Sequence, residues 1–201
     1  MALFILAACS GTGKSTLVKA LLSQQPNLRL SVSHTTRSPR QGEENHVVYH
    51  FINRNEFEVM IEQNDFVEWA EFAGNLYGTS HSMIQQAQNA GHDLLFEVEI
   101  QGAARLKESY PHAASCFVLP PSWDALAERL RLRKTETEES INRRLAVGYQ
   151  EIHHAKDFDY LIINDDFGQA LTHLNQVFKS DEVTQERAQA LLKKLLDNIP
   201  Q

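Results

Sequence analysis

A glycine-rich loop near the N-terminus constrains the fold of this chain more than any other feature. A short apolar run (3–7) leads into the loop, and a helical pattern (14–22) follows it. The loop reads Ala8-Cys9-Ser10-Gly11-Thr12-Gly13-Lys14-Ser15-Thr16. Its glycines allow successive backbone N–H groups to turn inward around an anion, and the helix adds its positive N-terminus. Strand, loop and helix in this order predict a P-loop that binds nucleotide phosphates.

The side chains of the loop support this interpretation. Lys14 can reach the β- and γ-phosphates, and the Ser15 hydroxyl can bind the Mg²⁺ that bridges them. Ala8 stands where the strict pattern has glycine. The run from Leu6 to Cys9 also resembles a lipoprotein cleavage box, but no basic segment precedes it. We therefore favour a buried first strand.

The composition favours a globular protein that binds small ligands. The chain has 201 residues, of which 42% are hydrophobic, and a formal net charge of −7. An acidic protein is a poor candidate for coating nucleic acid, whereas a small phosphorylated ligand needs only a local positive pocket. No apolar stretch is long enough to span a bilayer. Cys9 and Cys116 are the only cysteines, which indicates free thiols and a cytoplasmic location.

Strand and helix patterns alternate along most of the sequence, which predicts an α/β fold with a mostly parallel sheet. The predicted strands are 3–7, 28–34, 66–72, 94–100, 115–119 and 160–164. The predicted helices are 14–22, 56–63 capped by Asn55, a helix to 90 capped by Ser80 or Ser82, 103–110, 122–133, 139–155, 168–178 and 182–196. The block from about 33 to 82 breaks the alternation with short strands and is predicted to be an inserted lobe.

Further motifs follow the loop in a characteristic order. They are Ser31-Val32-Ser33-His34-Thr35-Thr36-Arg37-Ser38-Pro39-Arg40, Gly42-Glu43, Tyr49, Phe66-Val67-Glu68-Trp69-Ala70, Tyr77-Gly78-Thr79, Glu97-Val98-Glu99-Ile100-Gln101-Gly102, Thr135-Glu136-Thr137-Glu138-Glu139 and Ile163-Asn164-Asp165-Asp166. From residue 3 to about 178, this set resembles the guanylate kinase family, including its bacterial members, many of which begin the loop with alanine. The resemblance implies one domain, 1–201, with a three-layer α/β/α P-loop core at about 1–32, 83–125 and 157–201. It also implies a GMP-binding lobe at about 33–82 and a helical lid at about 126–156.

The resemblance implies the residues that handle ATP. The P-loop residues 8–16 would hold its phosphates together with Mg²⁺, for which Ser15 is the expected protein ligand. Asn164, after the last strand, would contact the adenine side. The residues expected to act in phosphoryl transfer are Lys14, Arg37, Arg129, Arg133 and Arg144.

The resemblance also implies a guanine-reading pocket. Guanine presents an O6 acceptor beside its N1–H and N2–H₂ donors, so a carboxylate can accept from both donors while a hydroxyl donates to O6. Glu68 and Ser33 are expected in these roles, with Thr79 close by. Adenine would leave the buried carboxylate badly paired, and such contacts can discriminate strongly between bases.

Other residues are implied to hold the phosphate of GMP. They are Arg37, Arg40 and the hydroxyls of Tyr49 and Tyr77, since guanidinium groups suit a phosphate dianion. Glu97 and Glu99 occupy alternate positions of a predicted strand and should face one side, toward Mg²⁺ and GMP. Many relatives carry aspartate at position 99, so the individual roles of these two acids stay open.

The implied reaction is Mg²⁺-dependent transfer of a phosphoryl group from ATP to GMP, and to dGMP, in purine nucleotide metabolism. Three alternatives stay open: a related kinase for another small phosphate acceptor, an inactive guanylate-kinase-like module that binds proteins, and a nucleotide-hydrolysing switch. ATP and GMP are the expected partners, without nucleic acid, membrane or zinc. The oligomeric state is left undetermined. An apolar stripe on the last helix, at Leu191, Leu192, Leu195 and Leu196, would pack on the core or form a dimer contact.

Overall fold

The computed structural model describes residues 1–39, 42–45, 49–72, 74–132, 137–179 and 184–200. The strands in this part of the chain are β1 (Leu3–Ala8), β2 (Leu28–Leu30), β3 (His34–Thr35), β4 (His50–Phe51), β5 (Phe66–Phe72), β6 (Asn75–Ser80), β7 (Asp93–Glu97), β8 (Ala114–Leu119) and β9 (Tyr160–Ile163). The helices are α1 (Lys14–Gln24), α2 (Arg54–Glu62), α3 (His81–Asn89), α4 (Ile100–Ser109), α5 (Trp123–Leu132), α6 (Glu138–Glu151), α7 (Phe167–Phe178) and α8 (Glu186–Asp197). A 3₁₀ helix, Ile152–Asp157, follows α6.

The strands form two sheets, which confirms the predicted α/β fold. One sheet has the order β2-β7-β1-β8-β9, and its pairs β2–β7 and β8–β9 are parallel. The apolar residues of β1 are buried, as expected for a strand covered on both faces. The other sheet has the order β4-β3-β6-β5 and mixes parallel with antiparallel pairs. The second sheet contains the short strands predicted within the block from 33 to 82.

The chain divides into two compact units, one of Met1–Ile5 with Asn27–Ala113 and the other of Leu6–Pro26 with Ala114–Gln201. In the first unit, Phe57 of α2 is fully buried and stacks on Phe66 of β5, with ring centroids 4.4 Å apart. A Cβ on Gly78 of β6 would lie 2.9 to 3.0 Å from these two rings. Glycine at this position therefore allows the aromatic pair to pack directly on the sheet.

In the second unit, the last helix packs on its own chain. Leu192 and Leu195 of α8 are buried, and Trp123 of α5 donates its indole N–H to the Leu195 carbonyl oxygen at 2.9 Å. This arrangement agrees with the core-packing interpretation of the apolar stripe. None of the described helices is long and apolar enough to cross a membrane.

Two predicted strands are wrong at their C-terminal ends. The strand predicted over 28–34 stops at Leu30, and His34 belongs to β3 in the other sheet. The change of sheet occurs between them, where the Ser31 N–H still donates to Leu95 of β7 and the Ser33 carbonyl already accepts from His50 of β4. The strand predicted over 94–100 stops at Glu97 because Ile100 begins α4.

Helix boundaries differ from the sequence prediction in a few places. The helix predicted over 103–110 begins at Ile100, and the one predicted over 139–155 divides into α6 and the 3₁₀ helix. The sequence predicted that α5 ends at 133 and that α8 begins at 182. Both positions lie outside the described residues. Ser80, one of two predicted caps, is the N-cap of α3.

Asn55 is not the cap of α2, as the sequence predicted. The N-cap is Asn53, whose side chain accepts from the Glu56 N–H while the Glu56 carboxylate accepts from the Asn53 N–H, both at 2.9 Å. This reciprocal pair satisfies two N–H groups at the start of the helix. Asn55 lies within the first turn, where its side chain is exposed.

Substitution of these two asparagines tests the assignment. Asn53→Ala should lower the free energy of unfolding by about 1 kcal/mol because the capping bond is lost. Asn55→Ala should change it by less than about 0.5 kcal/mol, as expected for an exposed helical position. Urea unfolding of both variants measures the difference. A larger loss for Asn55→Ala than for Asn53→Ala would contradict the cap seen here.

Candidate functional site

The glycine-rich loop connects β1 to α1 and has the backbone conformation of an anion-binding loop. Gly11 and Gly13 have φ angles of 94° and 96°, which residues with a Cβ rarely adopt. Lys14 begins α1, and Gly13 occupies the N-cap position without a side chain to cap the helix. The first N–H groups of a helix without a capping side chain can bind a phosphate.

Distant residues hold the loop backbone in place. The Thr12 carbonyl oxygen accepts from Asn164 Nδ2 at 2.6 Å and from Arg129 Nη1 at 3.3 Å, and Arg129 Nη2 donates to the Asn164 carbonyl oxygen at 2.9 Å. The buried Thr12 hydroxyl donates to the Cys9 carbonyl oxygen at 2.6 Å. A Cβ on Gly13 would lie 2.7 Å from Asn164 Nδ2, so glycine is required there for space as well.

Helix α6 also reaches the loop. Arg144 Nη1 lies 3.4 Å from the Ser10 hydroxyl, and the Cys9 thiol donates to the Gly148 carbonyl oxygen at 3.5 Å. Three arginines between 126 and 156 were predicted to act in phosphoryl transfer. Two of them, Arg129 and Arg144, contact the phosphate loop directly. Arg133 lies outside the described residues.

The residues predicted to read guanine lie together in the first unit. Glu68 of β5 is 5% exposed, and its Oε1 accepts from the hydroxyl of Thr79 at 2.7 Å. The antiparallel register of β5 and β6 pairs these two residues directly. The Thr79 hydroxyl lies 3.4 Å from the Ser33 hydroxyl, which is also buried. The result is a carboxylate and two hydroxyls at one end of the four-stranded sheet.

Burial raises the pKa of the Glu68 carboxyl above its usual range, because a charged carboxylate loses hydration inside a protein. The hydrogen bond from Thr79 opposes this change most strongly, and the positive charge of Arg105 opposes it next. The pocket therefore contains a carboxyl group whose ionisation depends on its immediate neighbours.

A basic and aromatic group lies beside this pocket. The guanidinium of Arg37 pairs with the carboxylate of Glu43 at 2.9 Å and lies 5.5 Å from the ring centre of Tyr49. The rings of Tyr49 and Tyr77 are 5.9 Å apart. The structure thus brings three of the four predicted phosphate-binding side chains together, while Arg40 lies outside the described residues.

Two acids at the end of β7 and just beyond it act on the same tyrosine. Burial raises the pKa of Tyr49 to about 12, and the negative charges of Glu97 and, more weakly, Glu99 add to the shift. Glu97 ends β7, whereas Glu99 is the extended N-cap residue of α4. The prediction that both residues belong to one strand is therefore wrong, although both carboxylates influence Tyr49.

The sequence reasoning missed three residues of this region. Glu43 and Gly102 belong to the motifs but have no role assigned there, and Arg105 belongs to none of them. Glu43 pairs with Arg37. A Cβ on Gly102 would meet the Glu68 carboxylate, and the charge of Arg105 acts on that carboxylate. The Arg37–Glu43 spacing could have suggested an ion pair on one loop. No sequence signal links α4 to β5, because the partners are more than thirty residues apart.

A positive-φ glycine loop between a buried strand and a helix, together with a sheet that contains parallel pairs, defines a P-loop α/β protein. The sequence model of the guanylate kinase family matches residues 1–181. The chain belongs to the guanylate kinase family.

Individual relatives cover nearly the whole chain. A guanylate kinase of Pseudomonas fluorescens Pf-5 is 49% identical over 194 residues, which is 96% of this chain and 94% of that protein. One from Neisseria meningitidis serogroup A is 43% identical over 196 residues, 98% of this chain and 96% of the relative. The crystal structure of guanylate kinase from Anaplasma phagocytophilum superimposes with a TM-score of 0.72 at 28% identity, over 96% of this chain and 94% of that one. These relatives confirm the family expected from the motifs.

The raised pKa of Glu68 makes a prediction about stability. The folded protein binds a proton at Glu68 more tightly than the unfolded chain does, so the free energy of unfolding decreases as pH rises above the unfolded pKa of about 4.3. Glu68→Gln removes this loss. We expect this variant to become more stable relative to wild type as pH increases from about 4.5 to about 7.5.

Urea unfolding at both pH values measures this change. Glu71→Gln removes a carboxylate from an exposed position of the same strand and is the matched control for the change of residue type. A Glu68→Gln curve that stays parallel to wild type at both pH values would contradict a raised pKa at Glu68.

Proposed function

We propose that this chain is an ATP:GMP phosphotransferase, which transfers the γ-phosphoryl group of ATP to GMP or dGMP and forms ADP and the corresponding diphosphate. The buried Glu68 carboxylate beside the hydroxyls of Thr79 and Ser33 is the observation that carries this proposal. Relatives at 43% to 49% identity are named guanylate kinases. We place the reaction in purine nucleotide metabolism in the cytoplasm.

The pocket chemistry favours guanine. An ionised Glu68 accepts hydrogen bonds from N1–H and N2–H₂ of guanine at the same time, and the Ser33 hydroxyl donates to O6. Adenine has an acceptor at N1, so it would leave the buried carboxylate facing a lone pair. The cost of leaving such a group unpaired is about 1–3 kcal/mol, and more for a charged one.

The aromatic and basic group supports binding of the GMP phosphate. The Tyr49 hydroxyl, like that of an ordinary tyrosine, is protonated at neutral pH and can donate to a phosphate oxygen; burial raises its pKa further, to about 12. A phosphate dianion would compete with Glu43 for the guanidinium of Arg37, since both anions accept paired N–H donors. Arg40 and Tyr77 complete the proposed set.

The loop residues bind the ATP phosphates in this proposal. Backbone N–H groups between Gly11 and Ser15 would surround them, and Lys14 and Arg144 would compensate their charge. Arg129 and Asn164 donate hydrogen bonds to the Thr12 carbonyl oxygen. In this proposal these bonds keep the carbonyl oxygen from facing the bound anion. Arg129 therefore acts through the loop in the conformation described, and Arg133 is proposed to contact the transferred group.

The residues present fit a magnesium ion bound chiefly through the nucleotide. The Ser15 hydroxyl is exposed in the first turn of α1 and is a hard oxygen ligand, the kind that Mg²⁺ prefers. Among the described residues, no group of three or more His, Cys, Asp or Glu side chains could hold a metal. Such an ion would take its other ligands from phosphates and water, and it supplies charge neutralisation between the phosphates.

Catalysis needs no covalent intermediate. The GMP phosphate is already anionic, so the chain's task is to hold it in line with the γ-phosphorus and to compensate charge with Lys14 and the arginines. Residues 33–82 and 126–156 are proposed as the GMP-binding lobe and the lid. Their closure would exclude water, which otherwise accepts the phosphoryl group.

A coupled assay of ADP formation tests the function. With Mg-ATP, we expect turnover with GMP and dGMP and at most about one-hundredth of that efficiency with AMP or UMP. Preference for another acceptor would leave a kinase but reject the guanine assignment. Folded protein without acceptor-dependent turnover would reject the enzyme and favour a protein-binding module.

Lys14→Ala tests the phosphate loop. Removal of the ammonium group should lower kcat/KM by at least about a hundredfold, because transition-state charge is then less well compensated. Lys19→Ala, at an exposed position of the same helix, is the matched control and should retain activity. Circular dichroism should show that both variants are folded. Wild-type activity of Lys14→Ala would remove the loop from the mechanism.

A further inference from the structure

Helix α4 forms a close-fitting wall behind the carboxylate of Glu68. A Cβ placed on Gly102 would lie 2.9 Å from Glu68 Oε2 and 3.5 Å from its Cδ. The other carboxylate oxygen, Oε1, accepts from Thr79 on β6. The carboxylate therefore lies between a hydroxyl on one side and a helix backbone without a side chain on the other.

The carboxylate of Glu68 is the group nearest to the space that a Cβ on Gly102 would fill. Gly102 lies in the first turns of α4 and has an ordinary helical backbone, since it is absent from the glycines with positive φ. The other near neighbour of its Cβ would be Val98 at 3.3 Å. Alanine at position 102 is therefore compatible with the helix. The carboxylate at the end of the Glu68 side chain would have to move to make room for the Cβ.

Arg105 lies one turn further along the same helix. Its guanidinium carbon is 5.5 Å from the ring centre of Trp69, the residue that follows Glu68 on β5. An arginine over an indole ring is attracted by the ring electrons and loses freedom to move. This contact holds the positive charge of Arg105 near the buried carboxylate.

We propose that Gly102 and Arg105 are positioning residues for guanine recognition: Gly102 leaves the room that the Glu68 carboxylate occupies, and Arg105 places a compensating charge beside it. The proposal rests on the proposed function and assigns to α4 the orientation and charge of the group that reads the base. Neither residue needs to touch GMP in this role.

The charge of Arg105 matters because only the ionised carboxylate can accept from both guanine donors. The groups that act on Glu68 from the elements packed against it are Thr79 of β6 and Arg105 of α4, and both favour the ionised form. Burial favours the protonated form. Loss of Arg105 should therefore raise the pH at which Glu68 becomes ionised.

Gly102→Ala separates positioning from a structural role. Alanine is the better helix former, so the unfolding midpoint should stay at or above that of wild type. The KM for GMP should rise about tenfold or more as the carboxylate is displaced, while the KM for ATP stays constant. A lower unfolding midpoint with unchanged KM for GMP would show a merely structural glycine and overturn this part of the proposal.

A double-mutant cycle shows whether Gly102 acts through Glu68. Glu68→Gln alone should reduce the preference for GMP over IMP and AMP, measured as ratios of kcat/KM. In the Glu68→Gln background, Gly102→Ala should cause no further loss of the preference for GMP, because the side chain at position 68 no longer has the carboxylate that Gly102→Ala would displace. Independent, additive losses would overturn the proposal.

The pH profile of kcat/KM for GMP tests Arg105. Arg105→Gln should shift the acidic limb to higher pH, and Arg105→Lys should restore it in part by returning the charge. Arg143→Gln, at an exposed helical arginine paired with Glu139, is the matched control and should leave the profile unchanged. A profile of Arg105→Gln identical to wild type would reject the role of the charge.

The wild-type measurement separates the two proposals. If folded wild-type protein shows no GMP-dependent ADP formation, the proposed function fails before any variant is compared. If wild type prefers GMP and the α4 variants behave like wild type, the function stands and the inference about Gly102 and Arg105 fails.

Discussion

Burial of the Glu68 carboxylate is the constraint around which the acceptor pocket is organised. Removing a carboxylate from water costs several kcal/mol unless donors and positive charge replace the lost hydration. The register of β5 and β6 supplies the Thr79 hydroxyl, and α4 supplies the charge of Arg105 and the open space at Gly102. In the proposed function, this costly burial of a carboxylate lowers folding stability in exchange for recognition of a base.

The phosphate loop has the opposite electrostatic requirement: in the proposed function, the negative charge belongs to the ligand and the protein supplies the donors. Since the loop presents donors to an anion in that function, its carbonyl groups have to be hydrogen-bonded elsewhere. Arg129 and Asn164 perform this task by binding the Thr12 carbonyl oxygen, and Thr12 binds that of Cys9. In both places side chains far away in the sequence fix or influence the polar groups: Arg129 and Asn164 act on the Thr12 carbonyl oxygen, and Arg105 acts on the Glu68 carboxylate.

The sequence predicted the features with the strongest local patterns and missed one helix cap, several element boundaries and the contacts between α4 and β5. The apolar strand and the glycine loop depend on neighbouring residues, and the structure has them as predicted; of the two predicted caps of α3, Ser80 is the one used. The sequence predicted Asn55 as the cap of α2, whereas the reciprocal bonds with Glu56 identify Asn53 as the N-cap. The strand at 28–34 and the position of Glu99 were wrong because an apolar or extended stretch does not show which sheet it joins or where a helix begins.

The sequence by itself determined the α/β class, the phosphate loop and the family, because these depend on short patterns of apolar, glycine and charged residues read in order. It also singled out Glu68, Thr79 and Ser33. Only the tertiary structure decided how these residues meet: the pairing of β5 with β6 places Thr79 on Glu68, and packing of α4 on β5 brings Gly102 and Arg105 behind it. Pairing and packing depend on contacts between residues far apart in the chain, and a single sequence does not state them.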